Sequence, residues 1–412
     1  MSSPTNATST ATTTRNPNYL LTAQNQKRPI HSNVLVCLRT HDVWAGRLAF
    51  NQLTKRTIVH GSPWDPTTRA WREHDDIMLT DWLARYEGLY IHAPSMISQS
   101  VETVAHENGY NPVVQYLNSL NWDGEPRLDE WLQNYLGCIP NDAQSDRYLA
   151  AVGRCTFIGA VARAYKPGCK VDTCLILEGG QGKFKSTAVH TLAGDWYTDD
   201  LRDISSKDAA LQAQTWIVEL SELDSLTRAE ASHIKAFISR QVDRFRPPYG
   251  KRIEEFPRPG IFVGTVNPSE YLKDDTGARR FWPVETGHIH IPWLAEDRDQ
   301  LWAEATTRYM AGEAWWFDST ARAELAAPME ASKRVADPWE DDVMNFVRAH
   351  VMNGARYVTL RDIQVVALDI KNSARDQRTD NRVASILRVH GWKRGQFRSG
   401  VGRVWGYSPA TE

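Results

Sequence analysis

The stretch GGQGKFKST, residues 179–187, gathers glycines, lysines and two hydroxyl side chains into nine positions. It follows the apolar run CLILEG and leads into STAVHTLAG, which has helical character. A strand, a glycine-rich turn and a helix start in that order form a cradle for phosphate, because backbone N–H groups and the helix dipole face the anion. Gly179, Gly180 and Gly182 let the main chain approach closely, and Gln181, Lys183, Phe184 and Thr187 complete the loop and helix start. In this register Lys185 reaches the β- and γ-phosphates of ATP and Ser186 holds Mg²⁺. Phe184 stands where such loops usually carry glycine. The alternative register on Lys183 puts Phe184 where a hydroxyl should follow and Leu177 where the first glycine should be, so Lys185 is preferred. A glycine-rich turn before a core helix is the plain alternative.

Further groups fit the same chemistry. TWIVELSELD ends an apolar strand on Glu219, followed by Glu222 and Asp224. An acid at the tip of a neighbouring strand can bind the magnesium, and a second acid can orient the attacking water. Glu219 suits the first role and Glu222 the second; a solvated acidic turn is the other reading, favoured for Asp224. GIFVGTVN ends a third strand on Asn267, which suits a γ-phosphate sensor or a simple Asn-Pro turn. Arg279 and Arg280, in DDTGARRFWPV, are candidates for an arginine finger that stabilises transition-state charge from a neighbouring subunit. A surface pair bridging to Asp274 or Asp275 is the alternative.

Between these strands lies DRFRPPYGKRIEEFPRP, in which Arg244, Arg246, Lys251, Arg252 and Arg258 alternate with Phe245, Tyr249 and Phe256. A turn at Tyr249-Gly250 would present Lys251 and Arg252 to a nucleic-acid backbone, or the aromatic residues simply pack a hairpin. His288 and His290 have no carboxylate or cysteine at ligand spacing and read as structural.

These groups need elements to position them. The 412 residues contain 42% apolar and 24% charged side chains with a formal net charge of -2, a composition expected of two or three soluble domains and not of a globally basic coat protein. The five cysteines form no C-x-x-C pair, which speaks against a disulfide framework or zinc module and for a reducing, cytoplasmic setting. No apolar run is long enough to span a membrane. Residues 1–28, rich in Ser, Thr and Asn, are expected to be a disordered tail. A first region, 29–150, mixes short apolar runs with helix-like text. The region 151–330 alternates strand candidates (171–179, 215–220, 260–267) with helix candidates, the pattern of an α/β domain with a largely parallel sheet. Residues 338–412 read as three helices and a hairpin, the order of a winged helix. Arg382, Arg388, Lys393, Arg394, Arg398 and Arg403 surround its third helix and wing, enough for phosphate contact or only a solvated basic face.

The order of these pieces, above all WIVELSELDSLTRAEASHIKAFISRQVDRFRPPYGKRIEEFPRPGIFVGTVN and DDTGARRFWPV, resembles the virulence-associated protein E family of phage, plasmid and island ATPases related to superfamily 3 helicases. NPVVQYLNSLNWDGEPRLDEWLQNYLG looks like that family's segment ahead of its ATPase core. The resemblance implies an AAA+-type P-loop core using ATP and Mg²⁺ and assembling as a hexameric ring on single-stranded or forked DNA. It gives Lys185 and Ser186 the phosphate-loop roles, Glu219 and Glu222 the acidic roles, Asn267 the sensor role and Arg279 or Arg280 the finger. Lys251 and Arg252 fall where such helicases carry a DNA-contacting hairpin. The expected function is an ATP-dependent helicase or translocase in replication of a mobile element, without its own priming activity and therefore open to a separate primase or initiator as partner. A DNA-binding initiator or regulator with a switch-like or vestigial nucleotide site is the alternative, motivated by Phe184. A small-molecule kinase fits less well, because it needs neither the basic aromatic hairpin nor the C-terminal domain.

Overall fold

The structure is a computed structural model and describes residues 18–201, 209–221, 228–246, 253–267, 278–328, 337–399 and 402–409. Of the expected disordered tail, residues 1–17 lie outside this set. Residues 18–28 depart from the expectation, because buried Asn33 needs partners. Its amide donates to the Leu20 and Arg28 carbonyls at 2.7 and 2.9 Å, and its oxygen accepts from the Leu20 N–H. Lys27 also pairs with Glu87, at 2.5 Å.

The N-terminal part runs α1 (His31–Thr40), β1 (Leu48–Asn51), β2 (Arg56–Ser62), β3 (Asp65–Ala70), α2 (Glu73–Glu87), α3 (Pro94–Glu107) and β4 (Gly109–Tyr110). Its sheet has the order β3-β2-β1-β4, and Val34, Leu38, Trp44, Leu79, Leu83 and Val101 meet in its core. The helix-like text of 101–120 is broken at β4, since Pro112 restarts a helix and cannot continue one.

Next come α4 (Pro112–Ser119), α5 (Trp131–Leu136) and α6 (Ala143–Tyr165). Asp142 caps α6 by accepting from the Ser145 N–H at 2.7 Å. Residue 150, where the sequence indicates a domain boundary, sits inside this helix. Its apolar face shares a core with the sheet beyond, through Val152, Phe157 and Val161.

That sheet comprises β5 (Cys174–Glu178), β6 (Tyr197–Thr198), β7 (Ile217–Ser221), β10 (Ile261–Val266) and β11 (Phe281–Glu285), in the order β11-β5-β10-β7-β6. Every neighbouring pair is parallel. Between the strands lie α7 (Lys185–Ala193), α8 (Ala209–Gln212), α9 (Arg228–Ile238) and the antiparallel hairpin β8 (Val242–Phe245) with β9 (Glu254–Pro257). After β11 comes α10 (Ile291–Met310).

Side chains alternate across the strands. Leu175, Leu177, Ile217, Ile261 and Val263 face one core, with α6, α7 and α10. Cys174, Ile176, Val218, Leu220, Phe262 and Val266 face the other, with Phe237 and Ile238 of α9. This period puts Glu219 on the face of Ile217 and Thr265 on the face of Val263, both toward α7. All five cysteines are free.

The C-terminal segment holds α11 (Glu340–Met352), a helical stretch at 360–367, α12 (Gln377–Val389), and the hairpin β12 (Trp392–Ser399) with β13 (Gly402–Pro409). Val343, Val347, Ile363, Val383, Leu387 and Tyr407 form its separate core. Among the described residues no helix is long and apolar enough to cross a membrane.

Candidate nucleotide-binding site

In open α/β sheets the ligand crevice lies beyond the carboxyl ends of the strands, where chain connections diverge to opposite sides. Here the chain leaves β5 toward β6 on one side and later returns past β10 to β11 on the other. The glycine-rich loop follows β5 and Asn267 follows β10, so both stand at that divergence.

Gly182 has φ +79° and Phe184 has φ 61°, ψ 23°. The first is routine for glycine, whereas a bulky residue in the left-handed region is strained. Phe184 is accommodated because its ring is 62% exposed and meets no crowded core. The expected departure at this position is therefore a backbone strain and not a blocked loop. Gly179 is required for a different reason, since a Cβ there would come within 2.5 Å of Thr286 Oγ1. Thr286 in turn donates to the Glu178 carbonyl at 2.7 Å and ties the end of β11 to the loop.

Lys185 opens α7 and is largely buried. Its Nζ donates to the carbonyls of Gly179 and Gly180, the latter at 3.0 Å. No side chain caps the α7 N-terminus, and the N–H groups of a helix start favour an anion. Ser186 Oγ donates to Glu219 Oε1 at 2.6 Å, Thr265 Oγ1 to the same oxygen at 2.6 Å, and Tyr197 OH to Oε2 at 2.5 Å. Glu219 is only 1% exposed, so these hydroxyls replace the water its charge would otherwise need. Burial and the bond to Glu219 push the Tyr197 phenol well above its usual range. Gln181, Gly182, Lys183, Phe184, Lys185, Ser186, Thr187, Ser221, Thr265 and Asn267 line one open cavity of about 460 Å³. A second groove of about 410 Å³ runs between Gly182–Phe184 and Gly287–Ile289. His288 lines this groove, while His290 stacks on Trp293 with ring centres 4.3 Å apart. Neither histidine lies in a strand.

The expected loop residues 179–187 come together here with Glu219 and Asn267. Glu222, Lys251 and Arg252 lie outside the described residues, as do Asp224 and the turn at Tyr249-Gly250. Arg279 and Arg280 precede β11, at the opposite end of the strands from the loop. Arg279 is exposed, whereas Arg280 is half-buried and donates to Ser239 Oγ at 2.6 Å.

The basic residues divide. Arg246 is exposed at the end of β8. Arg244 pairs with Glu255 at 2.7 Å. Arg258, counted above with the basic stretch, is buried, paired with Asp243 at 2.6 Å and laid over Phe237, and so serves packing. Arg382 is likewise taken up by Asp337 and lies over the Trp339 ring. Lys393 and Arg394 are adjacent in β12 and point to opposite faces. The cross-strand register puts Gln396, Arg398, Arg403 and Trp405 on the Arg394 face, with Arg398 directly opposite Arg403. Arg394 stands over Trp405, which is 54% exposed.

Sequence reasoning missed Tyr197, Thr265 and Thr286. Thr265 did leave a signal, as the one hydroxyl in an otherwise apolar strand. Tyr197 left none, because a two-residue strand has no readable period.

The family model for the virulence-associated protein E-like domain matches residues 117–335. Among solved structures the chain is similar to "The apo structure of NrS-1 C terminal region", with 12% identity, a TM-score of 0.48, and 88% of this chain and 96% of that one covered. The A form apo structure of the same region gives 11% identity and a TM-score of 0.47 over the same shares. No curated protein matches.

Proposed function

We propose, from the premise that this chain belongs to the virulence-associated protein E-like family, that it is an ATP-driven motor on DNA, a helicase or translocase serving replication of a phage, plasmid or genomic island. The observation that carries this reading is the convergence of Lys185, Ser186 and buried Glu219 under an uncapped helix N-terminus at the end of a parallel sheet. We assign the parallel sheet with its helices, from α6 through α10, to an AAA+-type P-loop core and residues 338–412 to a winged helix.

The residues present fit both expected ligands. The N–H groups at the start of α7, which no side chain caps, and the Lys185 ammonium suit a triphosphate. The Ser186 hydroxyl and Glu219 carboxylate are hard oxygen donors, which suit Mg²⁺. Bound Mg²⁺ supplies neutralisation of charge on the phosphoryl oxygens. Lys185 binds the phosphates and forgoes its loop carbonyls to do so. Glu219 holds the Ser186 hydroxyl in position, and Asn267, which lines the cavity, is assigned the role of γ-phosphate sensor. Glu222 is assigned the water-orienting role. Arg279 suits a finger reaching a neighbouring subunit better than Arg280, which Ser239 engages. That assignment requires a homo-oligomer, for which we propose a hexameric ring. Lys251, Arg252 and Arg246 are assigned to the DNA-facing hairpin, and a separate primase or initiator is the expected partner.

The test is Lys185→Ala. DNA-stimulated ATP hydrolysis should fall by at least about 100-fold, as it does when a charge-stabilising group is removed from a reaction centre. Hydrolysis at the wild-type rate refutes the assignment. The second reading, an initiator whose nucleotide site is a switch, draws on the strained Phe184 and the basic hairpin face. ATP turnover measured with and without single-stranded DNA separates the two, since only a motor is accelerated by its track.

A further inference from the structure

At the end of the sheet opposite the phosphate loop, a pocket of about 410 Å³ opens between the segment entering β5, the start of β11 and residues 315–326. It shares no lining residue with the cavity at the loop. Its wall is aromatic. Trp282 and Phe317 stack with ring centres 4.9 Å apart and an interplanar angle of 29°. Trp315 is fixed by its indole N–H, which donates to the Lys170 carbonyl at 2.9 Å. Trp316 stands edge-on to Trp315 at 5.0 Å and 89°, yet remains 56% exposed. Three of these rings are held in place, and the fourth offers an uncovered face beside them.

The rim is cationic. Lys170, Arg279 and Arg322 line the pocket, and among the described residues Asp172 is the carboxylate that lines it with them. The Lys170–Asp172 contact is long, at 3.9 Å, and the Lys170 side chain is 70% exposed. A large flat π surface next to positive charge selects a ligand that is both aromatic and anionic. An aliphatic ligand would leave the Lys170 and Arg279 charges unused, and inorganic phosphate would leave the rings uncovered. The volume falls within the range of about 300–1,000 Å³ typical of small-ligand sites. Stacking of a base on an aromatic side chain tolerates any base, because every base has a π face.

We infer that this pocket is a second nucleotide site, taking one nucleoside phosphate with its base stacked on Trp316 and its phosphate at the Lys170–Arg279 rim. The same chemistry comes from two sources: a nucleotide within a single strand, or a mononucleotide, free or carried by a neighbouring copy of the chain. The inference does not rest on the phosphate-loop assignment.

Two measurements test it. In the first, Lys185→Ala protein, with its phosphate loop disabled, is irradiated with a thymidine 12-mer bearing 5-iodouracil, and its affinity for the same oligonucleotide is measured. In the second, the affinity of otherwise wild-type protein for a non-hydrolysable ATP analogue is measured. Trp316→Ala is introduced in both, with circular dichroism as the check on folding. We expect an affinity loss of about tenfold or more in at least one measurement, and, where the first shows it, a cross-link on the Trp316 peptide. Loss in the first alone assigns the pocket to a strand, loss in the second alone to a mononucleotide, and loss in both to either ligand. Trp316→Phe, which keeps a π face, should restore most of the lost affinity. The inference is overturned if folded Trp316→Ala binds both probes like its parent, or if Trp316→Phe is as weak as Trp316→Ala.

Discussion

Replacing Phe184 by glycine and, separately, by alanine isolates the strain in the glycine-rich loop. Both substitutions remove the same largely exposed ring, so the burial lost is equal and cancels in their difference. What remains is the backbone at φ 61°, ψ 23°. A residue with a Cβ is disfavoured in that region by about 1–2 kcal/mol, and glycine is not. Glycine loses more freedom on folding, about 0.5–1 kcal/mol relative to alanine. At the mid-values, about 1.5 less about 0.75, the glycine variant is favoured by about 0.75 kcal/mol, with the gain confined to the loop and the first turn of α7. Because 1.36 kcal/mol is a factor of ten, amides at the start of α7 should exchange with solvent about two- to fivefold more slowly in Phe184→Gly than in Phe184→Ala. Native-state hydrogen exchange read by mass spectrometry on peptides covering 180–192 measures this. Equal exchange, or slower exchange in the alanine variant, would refute the strain argument. Both variants should still bind ATP, since the ring makes no contact on which the site depends.

Glu219→Ala should cost about 1–3 kcal/mol through the buried Thr265 hydroxyl left without an acceptor, whereas Glu219→Gln should melt close to the parent and lose Mg²⁺-dependent turnover. Arg258→Met strands the Asp243 charge in the interior and should cost about 3–5 kcal/mol in chemical denaturation, with a value under 1 kcal/mol counting against a buried pair. On the C-terminal hairpin, Arg394→Ala, Arg398→Ala and Arg403→Ala should each lower the salt slope of DNA binding by about one, while Arg382→Ala, whose charge is already paired, should leave the slope unchanged. Burial pushes the Cys37, Cys138 and Cys155 thiols up to about 12. At pH 8.5 roughly one molecule in three thousand then carries each thiolate, so iodoacetamide should label these residues only after unfolding, and labelling should rise with pH toward 12.

How much of this was legible in the sequence follows from how local each feature is. The glycine-rich loop, the strands that frame it and the proposed roles of Lys185 and Ser186 rest on short-range patterns: glycine placement, apolar runs of strand length and a helix start. Period-2 alternation also fixes that Glu219 shares a face with Ile217, since a strand has no other way to orient its side chains. The hydroxyls that close around Glu219 come from α7, β6 and β10, elements brought together only by parallel pairing across the sheet. Charge was the least legible property. Arg258 and Arg382 look like any other cation in the chain, and only the fold supplies Asp243 and Asp337 to neutralise them. Lys393 and Arg394 look like one basic pair, yet the pleat separates them and joins Arg394 to Arg398, Arg403 and Trp405 instead. The tertiary structure alone also sends Arg279 and the tryptophans of 315–316 to the far end of the sheet from the loop. The physical reason is common to all of these cases: backbone conformation is set by neighbours in the chain, whereas exposure and pairing are set by neighbours in space.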